Sequence, residues 1–217
     1  KSTHKDTMTN TIVLRYFDIR GKAEAIRMLL EQAGLQYEEV KVGAEWRGSL
    51  KKQYEEEGIT TFGQLPVLSF NDKHLCQTNS ILRYVAKKVG AYADNIDDQY
   101  TIDMVMDGVE DWRMRYVRLV YGNFDDEVES YKQTIPATLQ VFERLLGDSH
   151  YFAGGKWSVA DICVFDMLEH LVRLDESCLK QFSHLNKFHQ FWLQQPNIRS
   201  YLDSGKRPEK VNNSGKG

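Results

Sequence analysis

The sequence predicts two domains, an α/β domain over residues 9–90 followed by an all-helical domain over residues 91–217. In the first part, short runs rich in β-branched and aromatic residues alternate with stretches of helical periodicity. From residue 91 onward the sequence lacks clear strand-like alternation and shows long helical periodicity instead. A chain of 217 residues can bury a substantial core in one or two domains.

The first predicted elements form a β-α-β unit. Residues 11–17 are mostly β-branched, aliphatic or aromatic, which is typical of a largely buried strand. Gly21 then turns the chain into a helix with apolar positions three or four apart, for which Gly34 supplies the C-terminal cap. A second strand is predicted over residues 37–42. If both strands share a sheet, the crossover rule makes them parallel.

The rest of the first domain is predicted as a hairpin and a helix. Residues 67–70 and 74–76 flank Asn71-Asp72-Lys73, a turn composition that indicates two antiparallel strands. A helix over residues 79–89, ended by Gly90, follows. The order β-α-β and then β-β-α is the thioredoxin-like arrangement.

The second domain is predicted to contain long helices. Apolar residues recur near every 3.6 positions over residues 104–116 and again over 128–146, where Pro136 should kink the helix. Ser158 and Asp161 have the spacing of a capping box and open a run that is apolar nearly all round, so this helix belongs at the domain centre. The polar, Gly-rich residues 204–217 predict a mobile tail.

Composition excludes several classes of protein. Charged residues make up 27% of the chain and the net charge is −3, so the basic excess typical of nucleic-acid binding is missing. No apolar run reaches the roughly 18 residues of a membrane span. Residues 1–10 are polar and lack the apolar core of a signal peptide, so we expect an added or disordered lead-in outside the fold.

The cysteines and histidines indicate neither a disulfide framework nor a metal site. The 3 cysteines are an odd number without a C-x-x-C pair, which favours a reducing compartment and hence the cytoplasm. The 6 histidines include no H-E-x-x-H motif, so we expect no metal.

Three segments contain residue types suited to binding a small molecule. Tyr16 ends the first strand, and a phenol can donate a charge-assisted hydrogen bond to a thiolate while it stays protonated. Taken alone, Tyr16 would more simply be a strand aromatic. Pro66 precedes a strand and can hold a cis peptide bond. Gln77 and Thr78 begin a helix and offer donors to a carboxylate, although Thr78 would also serve as a plain N-cap.

Four motifs together resemble the cytosolic glutathione transferases, with the closest likeness to the pi class. They are YFDIRGK at residues 16–22, FGQLP at 62–66, QTNS at 77–80 and DMVMDGVED at 103–111. The resemblance spans residues 11–217. It implies the glutathione transferase fold, an α/β N-terminal thioredoxin-like domain plus an all-α C-terminal domain.

The resemblance also implies a glutathione site in which Tyr16 stabilises the thiolate. Arg20 would support the site electrostatically, although a solvated turn charge is an alternative for it. The implied glutathione-binding residues are Lys22, Trp46, Lys51, Gln64, Leu65, Pro66, Gln77, Thr78 and Asp111.

Each part of glutathione has its own implied partners. Leu65 would bind the cysteinyl part through its main chain, and Gln77 and Thr78 would bind the γ-glutamyl carboxylate. Trp46 and Lys51 would hold the glycyl end, with Gln64 nearby. Lys52 is an alternative to Lys51, because the chain between Lys52 and Phe62 is longer than the family pattern.

Other positions concern the second substrate and a second subunit. Phe17, Ile19 and Tyr121 match positions that line an apolar pocket for the electrophile, but an ordinary core residue is an alternative for each. Asp111 would reach across a dimer interface to the glutathione amino group. Phe62 would insert between two helices of the neighbouring subunit, which implies a two-fold homodimer.

The leading hypothesis is therefore a cytoplasmic, metal-independent glutathione S-transferase that conjugates glutathione thiolate to hydrophobic electrophiles in detoxification. Neither nucleic acid nor a membrane is an expected partner. Two alternatives remain: a sigma-type glutathione-dependent prostaglandin isomerase, which Tyr-Phe-Asp-x-Arg-Gly also resembles, and a non-catalytic glutathione-fold binding protein, since a fold can outlive its function.

Overall fold

The computed structural model describes residues 11–217, so the predicted lead-in over residues 1–10 lies outside the described residues. The chain divides into two compact units. The first, called the sheet unit here, contains residues 11–18 and Gln36–Ile81. The second, the helical unit, contains Ile19–Leu35 and Leu82–Gly217.

A four-stranded mixed sheet forms the centre of the sheet unit. Its strands are β1 (Ile12–Phe17), β2 (Glu38–Val42), β3 (Val67–Phe70) and β4 (Lys73–Cys76), in the order β2-β1-β3-β4. Strands β1 and β2 are parallel, as predicted, whereas β3 pairs antiparallel with both β1 and β4. The predicted hairpin is confirmed. Its turn is tighter than expected, because Lys73 already pairs with Phe70 in the ladder.

Local chemistry explains these strands. Every residue of β3 is buried, and β1 alternates buried with partly buried side chains. Asn71 turns the hairpin with φ 53°, a left-handed conformation that asparagine tolerates well. The sheet unit also contains a short 3-10 segment, Ala44–Arg47, and helix α2, Ser49–Glu56, which the sequence did not predict.

The helical unit is built from long, packed helices. They are α1 (Glu24–Gln32), the part of α3 (Thr78–Val89) from Leu82 onward, α4 (Ile96–Tyr121), α5 (Phe124–Leu146), α6 (Val159–Leu174), α7 (Ser183–Leu193) and α8 (Pro196–Asp203). The helices predicted over residues 104–116 and 128–146 lie within α4 and α5. Pro136 lies inside α5, which continues to Leu146.

Helix α6 packs against α1, α4 and α7, and it is buried along most of its length, as predicted. Asp161 forms the predicted capping box, in which its Oδ2 accepts the Ser158 N–H at 2.7 Å. Its Oδ1 accepts the Phe152 N–H at 2.9 Å. Burial dominates the surroundings of this carboxyl and raises the pKa of Asp161 to about 6.

The segment after α8 is held in place, so the prediction of a mobile tail is wrong. Lys210 and Val211 accept hydrogen bonds from the main-chain N–H groups of Arg20 and Gly21, both at 2.9 Å. Val211 and Asn212 are buried. Polar composition did not reveal these contacts because their partners lie far away in the sequence. Among the described helices, none is both long and apolar enough to cross a membrane.

Candidate functional site

The end of β1 places Tyr16 beside a row of aromatic rings in the sheet unit. Tyr16 is the last buried residue of the strand, at 6% exposure. The Phe17 ring lies 5.4 Å from the Tyr16 ring, and Trp46 meets Phe17 edge-on at 6.4 Å. Trp46 in turn contacts the buried Tyr54 of α2 at 5.9 Å. Three of the predicted site residues therefore adjoin one another.

The segment before β3 brings two predicted ligands together. The Leu65–Pro66 peptide bond is cis, as the sequence predicted for Pro66. Gln77 lies where β4 leads into α3, with φ 69°, and its side-chain amide donates to Gln64 Oε1 at 3.0 Å. Thr78 follows as the first residue of α3 and is buried.

Thr60, which the sequence did not indicate as a site residue, holds the Gln64 main chain by hydrogen bonds. Thr60 is a buried side chain whose Oγ1 accepts the Gln64 N–H at 3.3 Å and donates to the Gln64 carbonyl at 3.1 Å. The signal in the sequence was weak, because a threonine in a polar loop shows no periodicity that would mark it as buried.

The structure distinguishes the two lysines proposed for the glycyl end. Lys51 runs beside Gly63, so that a side chain at Gly63 would lie 2.5 Å from Lys51 Cε. Lys52 instead pairs with Glu56 at 3.5 Å on the exposed face of α2. Only Lys51 thus lies next to the segment that contains Gln64.

The remaining charged site residues belong to the helical unit. Arg20 donates through Nε to the Pro208 carbonyl at 3.0 Å, and burial, followed by the nearby Arg207 charge, lowers the pKa of Arg20. Lys22 forms an ion pair with Glu110 at 2.8 Å. This contact occupies the ammonium group with a protein carboxylate.

The predicted electrophile residues differ in exposure. Ile19 is only 3% exposed, which supports its alternative interpretation as a core residue. Tyr121 is 54% exposed at the end of α4, and its hydroxyl accepts the Asn213 N–H at 3.1 Å. The tail that the sequence predicted to be mobile thus holds this phenol.

A buried ionic cluster holds the start of the tail. Arg207 donates to Glu24 at 2.7 Å and to Glu169 at 3.0 Å, and His189 contacts the other Glu169 oxygen at 2.9 Å. Burial disfavours ionised Glu169, but the hydrogen bond from His189 and the Arg207 charge outweigh it and lower the pKa of Glu169 to about 2. Arg207 directly precedes Pro208, the partner of Arg20.

A groove runs between α4 and α5 on the helical unit. It has a volume of about 500 Å³, and the exposed apolar side chains of Met104, Val141 and Leu145 line it. Asp111 lies at the same groove. Phe62, in the loop before β3, is itself 61% exposed, an unusual position for a phenylalanine.

Comparisons with known proteins agree with this arrangement. The family model described as the glutathione S-transferase N-terminal domain matches residues 12–87, and the one for the C-terminal domain matches residues 110–205. The chain is 35% identical to Glutathione S-transferase P 1 of Bufo bufo over 210 residues, which cover 93% of this chain and 96% of that protein. It is 34% identical to Glutathione S-transferase P of Homo sapiens over 203 residues, or 91% and 92% of the two chains.

A solved structure gives the same result. The pi-class glutathione S-transferase of Onchocerca volvulus superimposes with a TM-score of 0.87 at 32% identity, covering 95% of this chain and all of that one. The chain therefore belongs to the glutathione S-transferase family. The matched relatives and the solved structure also confirm the predicted likeness to the pi class.

Proposed function

We propose that this transferase binds glutathione along the sheet unit, holds its sulfur as a thiolate against Tyr16 and directs it to a hydrophobic electrophile. The observation that carries the proposal is the position of Tyr16 at the end of β1, in the same unit as the cis Leu65–Pro66 bond and the Gln64–Gln77 pair. The phenol of Tyr16 and the main-chain groups beside the cis bond would then contact two different parts of glutathione.

Tyr16 acts as a hydrogen-bond donor in this mechanism. A free thiol has a pKa of about 8.5, and lowering it by about two requires about 2.7 kcal/mol of preferential stabilisation of the anion. The phenolic O–H of Tyr16 supplies part of this by donating to sulfur, while the thiol proton passes to solvent. The thiolate forms a bond to carbon, and the leaving group departs with its electron pair or, in an addition, the product takes up a proton.

The sheet unit supplies the other proposed contacts. The main chain of Leu65 pairs with the cysteinyl part, and the side chain of Gln77 meets the γ-glutamyl part, which Thr78 also reaches from the start of α3. Gln64 lies near the glycyl end. Trp46 and Lys51 bind the glycyl end. The contact of Lys51 with Gly63 supports Lys51 over Lys52 for this role.

For the residues of the helical unit, the proposed roles rest on the resemblance to the family. Arg20, Lys22 and Asp111 are assigned to glutathione by resemblance, and the ion pair of Lys22 with Glu110 favours an indirect role for Lys22. Tyr121 is assigned to the electrophile, together with Phe17 of the sheet unit. The exposure of Tyr121 leaves its ring accessible.

We also propose that the chain forms a two-fold homodimer in which Phe62 of each copy enters the α4–α5 groove of the other. Burial is favourable both for an exposed phenylalanine and for an exposed apolar groove. In a two-fold dimer, the Phe62 side chain of each copy would fill the groove of the other copy. Asp111 would then lie at the interface. A cytoplasmic location fits the 3 cysteines, which are all free thiols.

The test is the rate of glutathione conjugation to chlorodinitrobenzene as a function of pH, for the wild type and Tyr16→Phe. The wild type should be active, and the variant should lose most of its rate while its pH midpoint moves up toward the pKa of free thiol. Tyr100→Phe, at an exposed tyrosine of α4, is the matched control. Equal activity of Tyr16→Phe would refute the role of Tyr16. Glutathione binding without any conjugation by the wild type would favour the non-catalytic alternative.

A further inference from the structure

Thr60 has a buried side chain at the start of a loop, and its hydroxyl is hydrogen-bonded to the main chain at the end of that loop. Its side chain is buried at 3% exposure, although the neighbouring Thr61 and Phe62 are both exposed. Its single hydroxyl serves both main-chain groups of Gln64, accepting from the N–H at 3.3 Å and donating to the carbonyl at 3.1 Å. The hydroxyl therefore closes residues 60–64 into a loop with a fixed base.

The other side of Thr60 is anchored to α2. The N–H groups of Ile59 and Thr60 both donate to the Tyr54 carbonyl, at 2.8 and 3.2 Å, where Gly58 lets the chain reverse with φ 70°. Tyr54 is itself buried against Trp46. Because the Thr60 backbone is attached to a packed helix end, its hydroxyl gives Gln64 a fixed position.

The fixed peptide groups lead directly into the proposed glutathione contacts. Gln64 holds the side chain of Gln77 at 3.0 Å, and Leu65 follows it in the chain before the cis bond to Pro66. A rotation of the Gln64 peptide groups would turn the Leu65 N–H and displace the Gln64 amide together. We propose that Thr60 is a positioning residue that holds the Gln64–Leu65 segment in its glutathione-binding conformation. This inference rests on the proposed function.

The same hydroxyl holds the base of the loop that presents Phe62. Residues 61–63 lie between the two hydrogen-bonded ends, and Gly63 turns there with φ 58° where a side chain would collide with Glu55. The bonds of Thr60 to Gln64 are local, so their loss frees a short loop. Toward the sheet, the loss of the hydroxyl removes the long contact from Cys76 Sγ of β4 at 3.8 Å. The loss of the bonds to Gln64 should therefore weaken glutathione binding, because glutathione must then order the segment as it binds.

The experiment compares Thr60→Val, which keeps the shape of the side chain but removes the hydroxyl, with Thr61→Val as matched control. Calorimetry gives the glutathione Kd, and steady-state kinetics give KM for glutathione and kcat. We expect about tenfold higher Kd and KM for Thr60→Val, the size of one lost buried hydrogen-bonding group. The kcat at saturating glutathione and the pH midpoint should not change, since Tyr16 is untouched. Thr60→Ser should restore binding to within about threefold of wild type, because it returns the hydroxyl.

A second measurement needs no variant. In the wild type, the Gln64 amide proton should exchange with solvent at least about tenfold more slowly than that of exposed Thr61, because it is hydrogen-bonded. Equal exchange of the two amides would overturn the inference. The inference would also be overturned if Thr60→Val left KM unchanged and reduced kcat only in proportion to the fraction of folded protein, because that result indicates a purely structural role. A wild type that binds no glutathione would instead overturn the proposed function and the inference with it.

Discussion

Glu169 makes the helical unit sensitive to acid. Its side chain is only 16% exposed, and it accepts from His189 at 2.9 Å and from Arg207 at 3.0 Å. Although burial opposes ionisation, these partners lower the pKa of Glu169 from 4.5 to about 2. A difference of about 2.5 in pKa corresponds to about 3 kcal/mol.

The sign follows from the lowered pKa. The folded state binds the proton more weakly than the unfolded chain, so the contribution is fully present above about pH 4.5 and is lost as the pH falls toward 2. Glu169→Gln should therefore lower the free energy of unfolding by about 3 kcal/mol at pH 7, since it also leaves the Arg207 charge less compensated. The difference between variant and wild type should shrink as the pH is lowered below 4.

Urea denaturation at pH 7, 5 and 3 measures this difference, at one fixed protein concentration because the proposed dimer would make the stability depend on concentration. Glu176→Gln changes an exposed glutamate just after the same helix and should stay within about 0.5 kcal/mol of wild type. The reasoning is refuted if Glu169→Gln is as stable as Glu176→Gln at pH 7, or if its deficit is the same at pH 3.

Three further predictions concern the other features. Phe62→Ala should weaken the proposed dimer at least about 30-fold, because a buried aromatic side chain at the centre of an interface contributes about 2 kcal/mol. Sedimentation equilibrium measures this change, and an undiminished dimer would contradict the groove assignment. The pKa of Asp161 is raised to about 6, so its ionised carboxyl lowers the free energy of unfolding at pH 7 and lowers it less as the pH falls toward 4. Urea denaturation of Asp161→Asn should therefore lack the gain in stability that this carboxyl gives on acidification. Gly63→Ala should raise KM for glutathione severalfold, because the added methyl group would collide with Glu55. The control is Gly34→Ala, where φ is 68° but the surrounding space is open; it should lower stability by about 1 kcal/mol and leave KM unchanged. Equal effects of the two variants on KM would exclude the Glu55 collision as the cause.

Sequence patterns predicted the elements whose side chains repeat regularly. Strand β1 and helices α4 to α6 bury apolar residues at strand or helix spacing, and this repetition is visible without a structure. Helix α2 was missed because its sequence is charged and only Tyr54 is buried, so it has no apolar stripe. The held tail was missed because the partners that fix it are distant in sequence.

The site shows the same contrast. Tyr16 and the Gln64-Leu65-Pro66 segment could be proposed for the candidate site from the sequence, because they lie within short motifs. The position of Thr60 depends on its hydrogen bonds to Gln64 and on the way α2 ends, and the spacing of residues in the sequence predicts neither. The exposure of Tyr121 and the burial of Ile19 likewise depend on tertiary packing, which decides what an apolar residue can touch.

The bonds between the Arg20 turn and residues 208–211 constrain when this turn can take its final shape during synthesis. Arg20 Nε and the Pro208 carbonyl are separated by 188 residues, and the main-chain partners of Arg20 and Gly21 come slightly later still. At about 5 to 20 residues per second, a ribosome needs about 10 to 40 seconds to deliver those partners after making the turn. Until then the Arg20 turn lacks these hydrogen bonds, so a nascent chain paused before residue 208 would lack the completed turn that follows β1.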